Sequence, residues 1–119
     1  MIGIRGATSI EKNEKDHIIE RSIELYNKII ENNNIKNIIA ILCSVTPDIT
    51  AFNPITAIRK EFKLSTVPLM TFQEAMFEGS KEGIIRFLIL CESDTQNFIF
   101  LHKAKELRKD LLESFTDSI

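Results

Sequence analysis

The chain is poor in the residue types that most often carry covalent or metal chemistry: its 119 residues include two cysteines and two histidines. Cys43 and Cys91 each lie in an apolar run, without CxxC or CxH spacing. This usage indicates buried thiols in a reducing compartment and argues against a metal centre or a thiol-redox role. His17 and His102 stand apart from any Ser, Cys or Asp pattern that would indicate a nucleophilic triad. We therefore assign neither histidine a chemical role.

The sequence also lacks long runs of basic residues and long runs of apolar residues. No run of Lys and Arg exceeds two residues, and the formal net charge is -2. A protein that binds a nucleic-acid backbone would show a basic stripe instead. No apolar stretch reaches membrane-spanning length, and Met1 to Ala7 is too short for the apolar region of a signal peptide. We therefore expect one cytoplasmic globular domain, with no nucleic-acid partner and no membrane partner.

The first half of the sequence predicts two strands alternating with two helices. Met1 to Thr8 forms the first strand. From Asp16 to Asn32, the apolar residues at helical spacing are Ile19, Ile23, Tyr26 and Ile30, flanked by Ile18, Leu25 and Ile29. Ile38 to Val45 is almost continuously apolar, which is typical of a strand covered on both faces. Asn53 followed by Pro54 then indicates a helix start, with the helix running to about Phe62.

The second half adds further strands. Val67 to Met70 is a short strand, placed at a sheet edge by Pro68, and Phe72 to Glu82 is predicted to be irregular. Ile84 to Cys91 is a strand that alternates Arg86, Leu88 and Leu90 with a second, apolar face.

Beyond Asn97 the signals conflict. Phe98 to Leu101 favours a strand, whereas Ala104, Leu107 and Leu111 recur at helical spacing. The whole pattern predicts a mixed sheet with helices packed against it, in an α/β or α+β arrangement.

Three of the few arginines, Arg5, Arg59 and Arg86, interrupt apolar runs. A guanidinium offers a planar fork of donors that fits a carboxylate or phosphate, so this placement indicates a pocket for a small anion. Alternatively, each aliphatic stem covers apolar surface while its head meets a surface Glu. Arg21 lies near Glu20 and Glu24, and we expect it to form a surface ion pair.

Several short segments in order along the chain resemble the small trimeric α/β class of monofunctional chorismate mutases. The resemblance extends from Met1 to Leu111 and implies a single domain over residues 1–111, followed by a C-terminal tail over 112–119. It implies an α+β fold in which a mixed sheet carries its helices on one face, assembled as a homotrimeric pseudo-barrel with active sites between subunits. The segments that carry it are Gly3-Ile4-Arg5-Gly6-Ala7-Thr8, Ser44-Val45-Thr46-Pro47-Asp48, Val67-Pro68, Gln73-Glu74, Ile85-Arg86 and Leu107-Arg108-Lys109-Asp110-Leu111.

The resemblance implies the Claisen rearrangement of chorismate to prephenate, without a nucleophile, cofactor or metal. Arg86 matches the family arginine that faces the ether oxygen, which becomes electron-rich in the transition state. Arg5 matches an arginine that pairs with a substrate carboxylate. Glu74 matches the carboxylate that accepts a hydrogen bond from the ring hydroxyl.

Five more positions match substrate-binding positions of the family or depart from them. Arg59 matches an arginine contributed by the neighbouring subunit, and Leu107 and Arg108 match a C-terminal segment that closes over the site. Thr71 stands where some members have cysteine, and Phe100 replaces a tyrosine, so one hydroxyl that would hold substrate is missing. Asn53 is a further departure, since an aromatic residue from the adjacent subunit is expected there: either the pocket wall is looser, or the match is shifted by one residue and Phe52 is the aromatic.

Two other functions remain open at this point. A trimeric enzyme of the imine-deaminase kind would share a similar architecture but would use one arginine and a bound water. A non-catalytic module for small anions would bind without turnover, as a relative that lost activity with the changes at Phe100 and Asn53.

Overall fold

The computed structural model describes residues 1–107, and these form a mixed sheet with helices on one face. The α+β fold predicted from the sequence is therefore confirmed, whereas Arg108 and the predicted domain boundary at residue 111 lie outside the described residues. The elements in chain order are β1 (Ile2–Ser9), α1 (Lys15–Glu31), β2 (Ile35–Val45), α2 (Pro54–Phe62), β3 (Leu69–Gln73), β4 (Ile84–Ser93), β5 (Ile99–Phe100) and a 3₁₀ helix (His102–Glu106).

The five strands lie in the order β3-β2-β4-β1-β5. β4 is central and runs antiparallel to both β1 and β2, while β3 is parallel to β2 and β5 is parallel to β1. The register places Arg86 of β4 between Ser44 of β2 and Ala7 of β1, and Arg5 opposite Leu88. Residues from three separate strands thus share one row on the sheet.

The core lies between the sheet and the two helices. Ile18, Leu25 and Ile29 of α1 are fully buried against the alternate residues of β1, β2 and β4 that face the helices. Gly6 permits this close packing, because a Cβ at that position would lie 2.5 Å from Ile29 Cδ1. The helix predicted from the spacing is confirmed, but the buried face is centred on the flanking residues: of the row Ile19, Ile23, Tyr26 and Ile30, only Tyr26 is buried.

The opposite face of the sheet is covered only in part. At one end, Ala7 packs with Phe100 and Ala104. Elsewhere apolar side chains remain open to solvent, among them Met70 at 56% exposure and Phe72 at 44%. The expectation that β2 is covered on both faces is not met within one chain, because the helices cover only one face of the sheet.

Strand bounds differ from the sequence prediction around β3. β3 begins after Pro68 and continues through Phe72 and Gln73, so the prediction of irregular structure from Phe72 onward was wrong for these two residues. Parallel pairing with Ser44 and Val45 of β2 supplies the hydrogen bonds. Such pairing depends on distant residues, and the local pattern does not reveal it.

Beyond Asn97 the sequence carries signals for both a strand and a helix, and each is partly correct. Ile99 and Phe100 form a two-residue strand, and the 3₁₀ helix follows at once. His102, at the junction, has a φ of 53°, which lies in the left-handed region.

Arg21 forms an ion pair, but its partner differs from the predicted one. Its guanidinium donates to Glu11 Oε2 over 2.7 Å and to the Ser9 carbonyl over 2.6 Å. The Arg21 side chain is only 11% exposed, and its two bonds join α1 to the end of β1 and to Glu11 just after it. The prediction rested on the neighbours in the sequence: Glu20 precedes Arg21, and Glu24 lies three residues after it, a spacing that a helix brings together.

Thr46 and Asp48 hold the turn after β2 in place. Buried Thr46 Oγ1 accepts a hydrogen bond from the Ile84 amide over 3.0 Å, and Asp48 Oδ1 accepts from the Gly83 amide over 3.2 Å. Gly83 has a φ of 69°, a conformation that glycine adopts without strain. These contacts give the turn a structural role next to the start of β4.

Candidate active site

A cleft of about 270 Å³ opens on the face of the sheet opposite α1 and α2. It lies over β1, β2 and β4, between the edge strand β3 and the short strand β5. Two arginines reach it from neighbouring strands. Its lining residues are Arg5, Gly6, Ala7, Leu42, Cys43, Ser44, Phe72, Arg86, Phe87, Leu88 and Phe100.

Arg86 is held at the cleft by a carboxylate. Its Nε donates to Glu74 Oε1 over 2.6 Å, and Ser44 Oγ donates to the same oxygen over 3.1 Å. Glu74 lies just after β3, where its amide donates to the Val45 carbonyl over 2.7 Å. The Arg86 side chain is 38% exposed and that of Glu74 is 19% exposed. Both are therefore partly buried at the cleft and partly open to solvent.

The pair keeps hydrogen-bonding capacity for a ligand. Within residues 1–107, the two terminal amino groups of Arg86 and Oε2 of Glu74 make no hydrogen bond. A guanidinium carries five N–H donors and a carboxylate can accept on both oxygens. The site can therefore donate to one ligand oxygen and accept from a ligand hydroxyl at the same time.

Arg5 provides the second cation. It is exposed on β1, and its guanidinium carbon lies 5.4 Å from the centre of the Phe98 ring. Because Arg5 pairs with Leu88, two residues along β4 from Arg86, both arginines project from the same face. Two positive charges on one open face suit a ligand with two negative charges.

Of the other predicted site residues, Phe100 lines the cleft, while Leu107 packs beside the cluster that Phe100 forms with Ala7 and Ala104. Phe100 has no hydroxyl, so this wall is apolar. Arg59 and Thr71 are not brought to the cleft within one chain. Thr71 Oγ1 donates to Asn53 Oδ1 over 2.9 Å, and Arg59 is exposed on the last turn of α2.

Sequence reasoning missed Ser44, Phe72, Leu42 and Leu88 as parts of the cleft. Ser44 is a polar residue near the end of an otherwise apolar strand, and that position was the available signal. Its role depends on the pairing of β2 with β3 and β4, which brings Glu74 and Arg86 to it.

Cys43 borders the cleft but does not offer a nucleophile. It is fully buried, and this burial raises the pKa of its thiol to about 12. A thiol with such a pKa stays protonated at neutral pH and is inert. Over residues 1–107 no group of three His, Cys, Asp or Glu side chains is placed to hold a metal ion. The same residues include no helix long and apolar enough to cross a membrane.

These features define a class: a small α+β domain whose open sheet face presents two arginines and an arginine-bound glutamate to a small anionic ligand. The family model for chorismate mutase type I matches residues 1–111. The chain belongs to this family, whose members are isomerases, and the resemblance inferred from the sequence is confirmed.

Individual relatives agree with the family assignment. The chain is 33% identical over 115 residues to chorismate mutase AroH of Bacillus subtilis (strain 168), covering 92% of this chain and 91% of that protein. It is 34% identical over 116 residues to chorismate mutase AroH of Thermus thermophilus, covering 92% and 94%. A solved chorismate mutase from Clostridium thermocellum superposes with a TM-score of 0.83 at 29% identity, covering 89% of this chain and 99% of that one.

Proposed function

We propose that this chain isomerises chorismate to prephenate in the cleft on the open face of its sheet. The observation that carries the proposal is the Arg86–Glu74 pair, which combines free guanidinium donors with a free carboxylate oxygen in a cleft that also holds Arg5. Membership of the chorismate mutase type I family supports the choice of reaction. The family match favours this function over the imine-deaminase alternative.

The reaction is an intramolecular rearrangement in which a carbon–oxygen bond breaks while a carbon–carbon bond forms. Chorismate is a dianion that must adopt a compact, chair-like geometry before its ends can react. The protein can help by holding both carboxylates and by placing positive charge where the ether oxygen gains electron density. No proton transfer or covalent intermediate is needed.

Arg86 is the residue we assign to the ether oxygen. Its Nε is bound to Glu74, which fixes the direction of the guanidinium and leaves its terminal amino groups for the substrate. A donor fixed before the reaction stabilises the developing charge without reorganising during it. In this assignment Glu74 also orients the substrate, because its free Oε2 can accept a hydrogen bond from the ring hydroxyl.

Arg5 is assigned to a substrate carboxylate, and Phe100 to the apolar wall of the pocket. Arg5 is exposed and lies on the same sheet face as Arg86. The absence of a hydroxyl at Phe100 leaves the second carboxylate with fewer donors within one chain. The remaining donors would have to come from elsewhere.

A homotrimer would supply them. In this arrangement Arg59 of a neighbouring subunit reaches the cleft, while Leu107 borders it beside Phe100. The open apolar face supports association, since Leu42, Leu88 and Leu90 are half-buried and Met70 and Phe72 are exposed in one chain. Exposed apolar patches of this kind favour burial against another surface.

We place this activity in the cytoplasm. Both cysteines are free and buried, which suits a reducing compartment. The rearrangement would supply prephenate for the synthesis of phenylalanine and tyrosine.

The test is the loss of chorismate absorbance with purified protein, followed by identification of prephenate as product. We expect Arg86→Ala to lower kcat by about 100- to 1,000-fold, the usual cost of removing one donor to a developing oxyanion. Arg86→Lys keeps the charge but loses the fork of donors, so it should recover only part of the rate. Asn27→Ala, on the helix side and without a described partner, serves as a control.

The opposite result would show a different function. If the folded wild-type protein gives no rate above the spontaneous reaction but binds a dicarboxylate analogue that Arg86→Ala no longer binds, the chain is a non-catalytic anion-binding module. Normal turnover by Arg86→Ala would contradict the role of Arg86 while leaving the family activity in place.

A further inference from the structure

The 3₁₀ helix that follows β5 is only weakly stabilised by interactions within its own residues. It has five residues, and the preceding residue, Leu101, provides no side-chain cap. Its first residue, His102, has a φ of 53°, which a side chain with a Cβ adopts at a cost. Short 3₁₀ segments have poor hydrogen-bond geometry by themselves. Contacts with other elements must therefore hold this segment in its place.

Two of these contacts fasten the segment to β1. The Leu101 amide donates to the Ala7 carbonyl over 2.9 Å, and the Lys103 amide donates to Ser9 Oγ over 3.0 Å. Between them, the backbone turns at His102. The strained residue thus lies between two amides that are hydrogen-bonded to the same strand, one to a backbone carbonyl and one to the Ser9 hydroxyl.

The third contact reaches a different element. His102 Nε2 donates to Glu24 Oε1 over 2.7 Å, which ties the strained residue to the middle of α1. The two side chains are 35% and 40% exposed, so the pair is open to solvent on one side. An outward turn of this backbone would break the bond. The bond therefore favours the conformation that the backbone alone disfavours.

This segment carries one wall of the cleft. Phe100, two residues before His102, lines the cleft, and Ala104, two residues after it, is fully buried against Ala7 and Phe100. Leu107 packs against the same cluster. A change in the direction of the chain at His102 would therefore shift the apolar wall that faces Arg86.

We propose that His102 is a positioning residue, which acts through its bond with Glu24 to hold the Phe100 wall against the cleft. The proposal rests on the proposed function, because the effect it predicts is on substrate binding. Neither His102 nor Glu24 is among the residues that line the cleft. Their removal should therefore change the affinity for substrate more than the rate of the chemical step.

The experiment compares His102→Gly, Glu24→Ala and the double variant with the wild-type protein. Glycine accepts a positive φ, so His102→Gly removes the bond without adding strain. We expect each single variant to raise KM for chorismate by about two- to five-fold, the change that one partly exposed hydrogen bond can supply. kcat should change less than KM, and the double variant should be no worse than either single one.

Matched controls separate positioning from general effects. Glu20→Ala changes a glutamate one turn earlier on α1 that has no described partner, and Lys63→Gly changes a residue with a φ of 54° at the end of α2. Both should leave KM unchanged. Glu24→Gln retains an acceptor for His102 Nε2 and should restore most of the affinity that Glu24→Ala loses.

A second readout does not depend on turnover. Hydrogen exchange at the Lys103 and Leu107 amides should be faster in His102→Gly and Glu24→Ala, while exchange at β4 amides stays the same. An unchanged KM with a lowered melting temperature would overturn the proposal and leave a purely stabilising pair. Unchanged exchange at Lys103 and Leu107 would overturn it as well. If the wild-type protein lacks turnover, the proposed function fails, but the exchange result still decides on positioning.

Discussion

At the scale of single residues, the site is organised around one carboxylate oxygen of Glu74, which binds two donors. Glu74 Oε1 accepts hydrogen bonds from both Arg86 Nε and Ser44 Oγ, while Oε2 stays free of described partners. Ser44 therefore helps to decide which carboxylate oxygen is left for a ligand. These three residues lie far apart in the sequence, and the sheet brings them together.

Ser44→Ala tests this role. It removes one donor to Glu74 and should lower kcat/KM for chorismate by about three- to ten-fold, as expected for loss of one hydrogen bond. Steady-state kinetics measures the effect, and Ser44→Thr, which keeps the hydroxyl, is the matched control. Equal activity of Ser44→Ala and wild type would mean that Arg86 alone fixes Glu74.

Two buried threonines give a matched pair for stability. Thr8 and Thr46 are both fully buried, but Thr8 Oγ1 has no hydrogen-bond partner in the part of the chain described, whereas Thr46 Oγ1 accepts from the Ile84 amide. Burying an unpaired hydroxyl is unfavourable. The same chemical change should therefore have opposite effects at the two positions.

We expect Thr8→Val to raise the free energy of unfolding by about 1 kcal/mol, and Thr46→Val to lower it by about 1–3 kcal/mol because the Ile84 amide loses its partner. Urea unfolding followed by circular dichroism measures both. A loss of stability in Thr8→Val would indicate that its hydroxyl has a partner in solution.

At the scale of elements, β2 illustrates how an apolar strand divides its faces. Its inner residues Ile41 and Cys43 are fully buried under the helices, whereas Leu42 and Ser44 between them are half-buried at the cleft. Burial of Cys43 raises the pKa of its thiol to about 12, because the thiolate would lose its hydration. The free energy of unfolding should therefore depend on pH through the Cys43 thiol.

The sign follows from proton binding. Between the ordinary cysteine pKa of about 8.5 and the raised value near 12, the unfolded chain releases a proton that the folded chain retains. Stability is therefore full below this window and falls as pH rises through it, by about 1.4 kcal/mol per pH unit for this group. In Cys43→Ala the decline should be shallower by roughly that amount, as measured by urea unfolding at pH 9 to 11.

The comparison isolates Cys43. Burial also raises the pKa of Tyr26, and burial together with the Glu92 charge raises that of Cys91, but both groups are present in both proteins. Equal slopes for wild type and Cys43→Ala would show that the thiol is not held protonated by the fold.

At the scale of the whole molecule, the open sheet face accounts for the proposed trimer. Leu90 lies on this face beyond the cleft, between Gly3 of β1 and Ala40 of β2. It is half-buried in one chain, so a charge there can reach water in a monomer. The same charge would be buried within an interface, at a high cost.

Sedimentation should therefore give wild-type protein at three times the chain mass of 13.6 kDa and Leu90→Glu at the mass of one chain. Leu90→Glu should keep its circular dichroism spectrum but lose most of its turnover, since Arg59 of a neighbour is then missing. Asn27→Glu adds the same charge on the helix side and should remain trimeric and active. A trimeric Leu90→Glu protein would exclude this face from the interface.

Much of the fold could be predicted because the signals are local. The spacing of the apolar residues in α1 predicted the helix, although its buried face includes Ile18 and Leu25 and not Ile19 and Ile23. Asn53 with Pro54 predicted the start of α2, where Asn53 Oδ1 accepts from the Ile55 amide over 3.0 Å. The alternation in β4 identified the face that carries Arg86. These patterns reflect the repeat of the backbone itself.

The predictions from sequence were wrong where residues far away in the chain determine the structure. β3 extends through Gln73 because β2 lies beside it, and Arg21 turns to Glu11 because the chain folds back before α1. His102 received no role from its sequence surroundings, since Glu24 lies 78 positions away. Strand pairing and such side-chain bonds depend on the packed arrangement, and local propensity does not specify them.

The amino-acid pattern alone is enough to predict a sheet packed against helices and the order of the main elements, and the family resemblance adds the reaction and the arginines that serve it. The contacts of Arg86 with Glu74, of Ser44 with the same carboxylate, and of the strained His102 with α1 are visible only in the folded chain. The two kinds of signal act over different distances along the sequence. Periodicity and capping act over a few residues, whereas a binding cleft is made by strands that meet only when the sheet has formed.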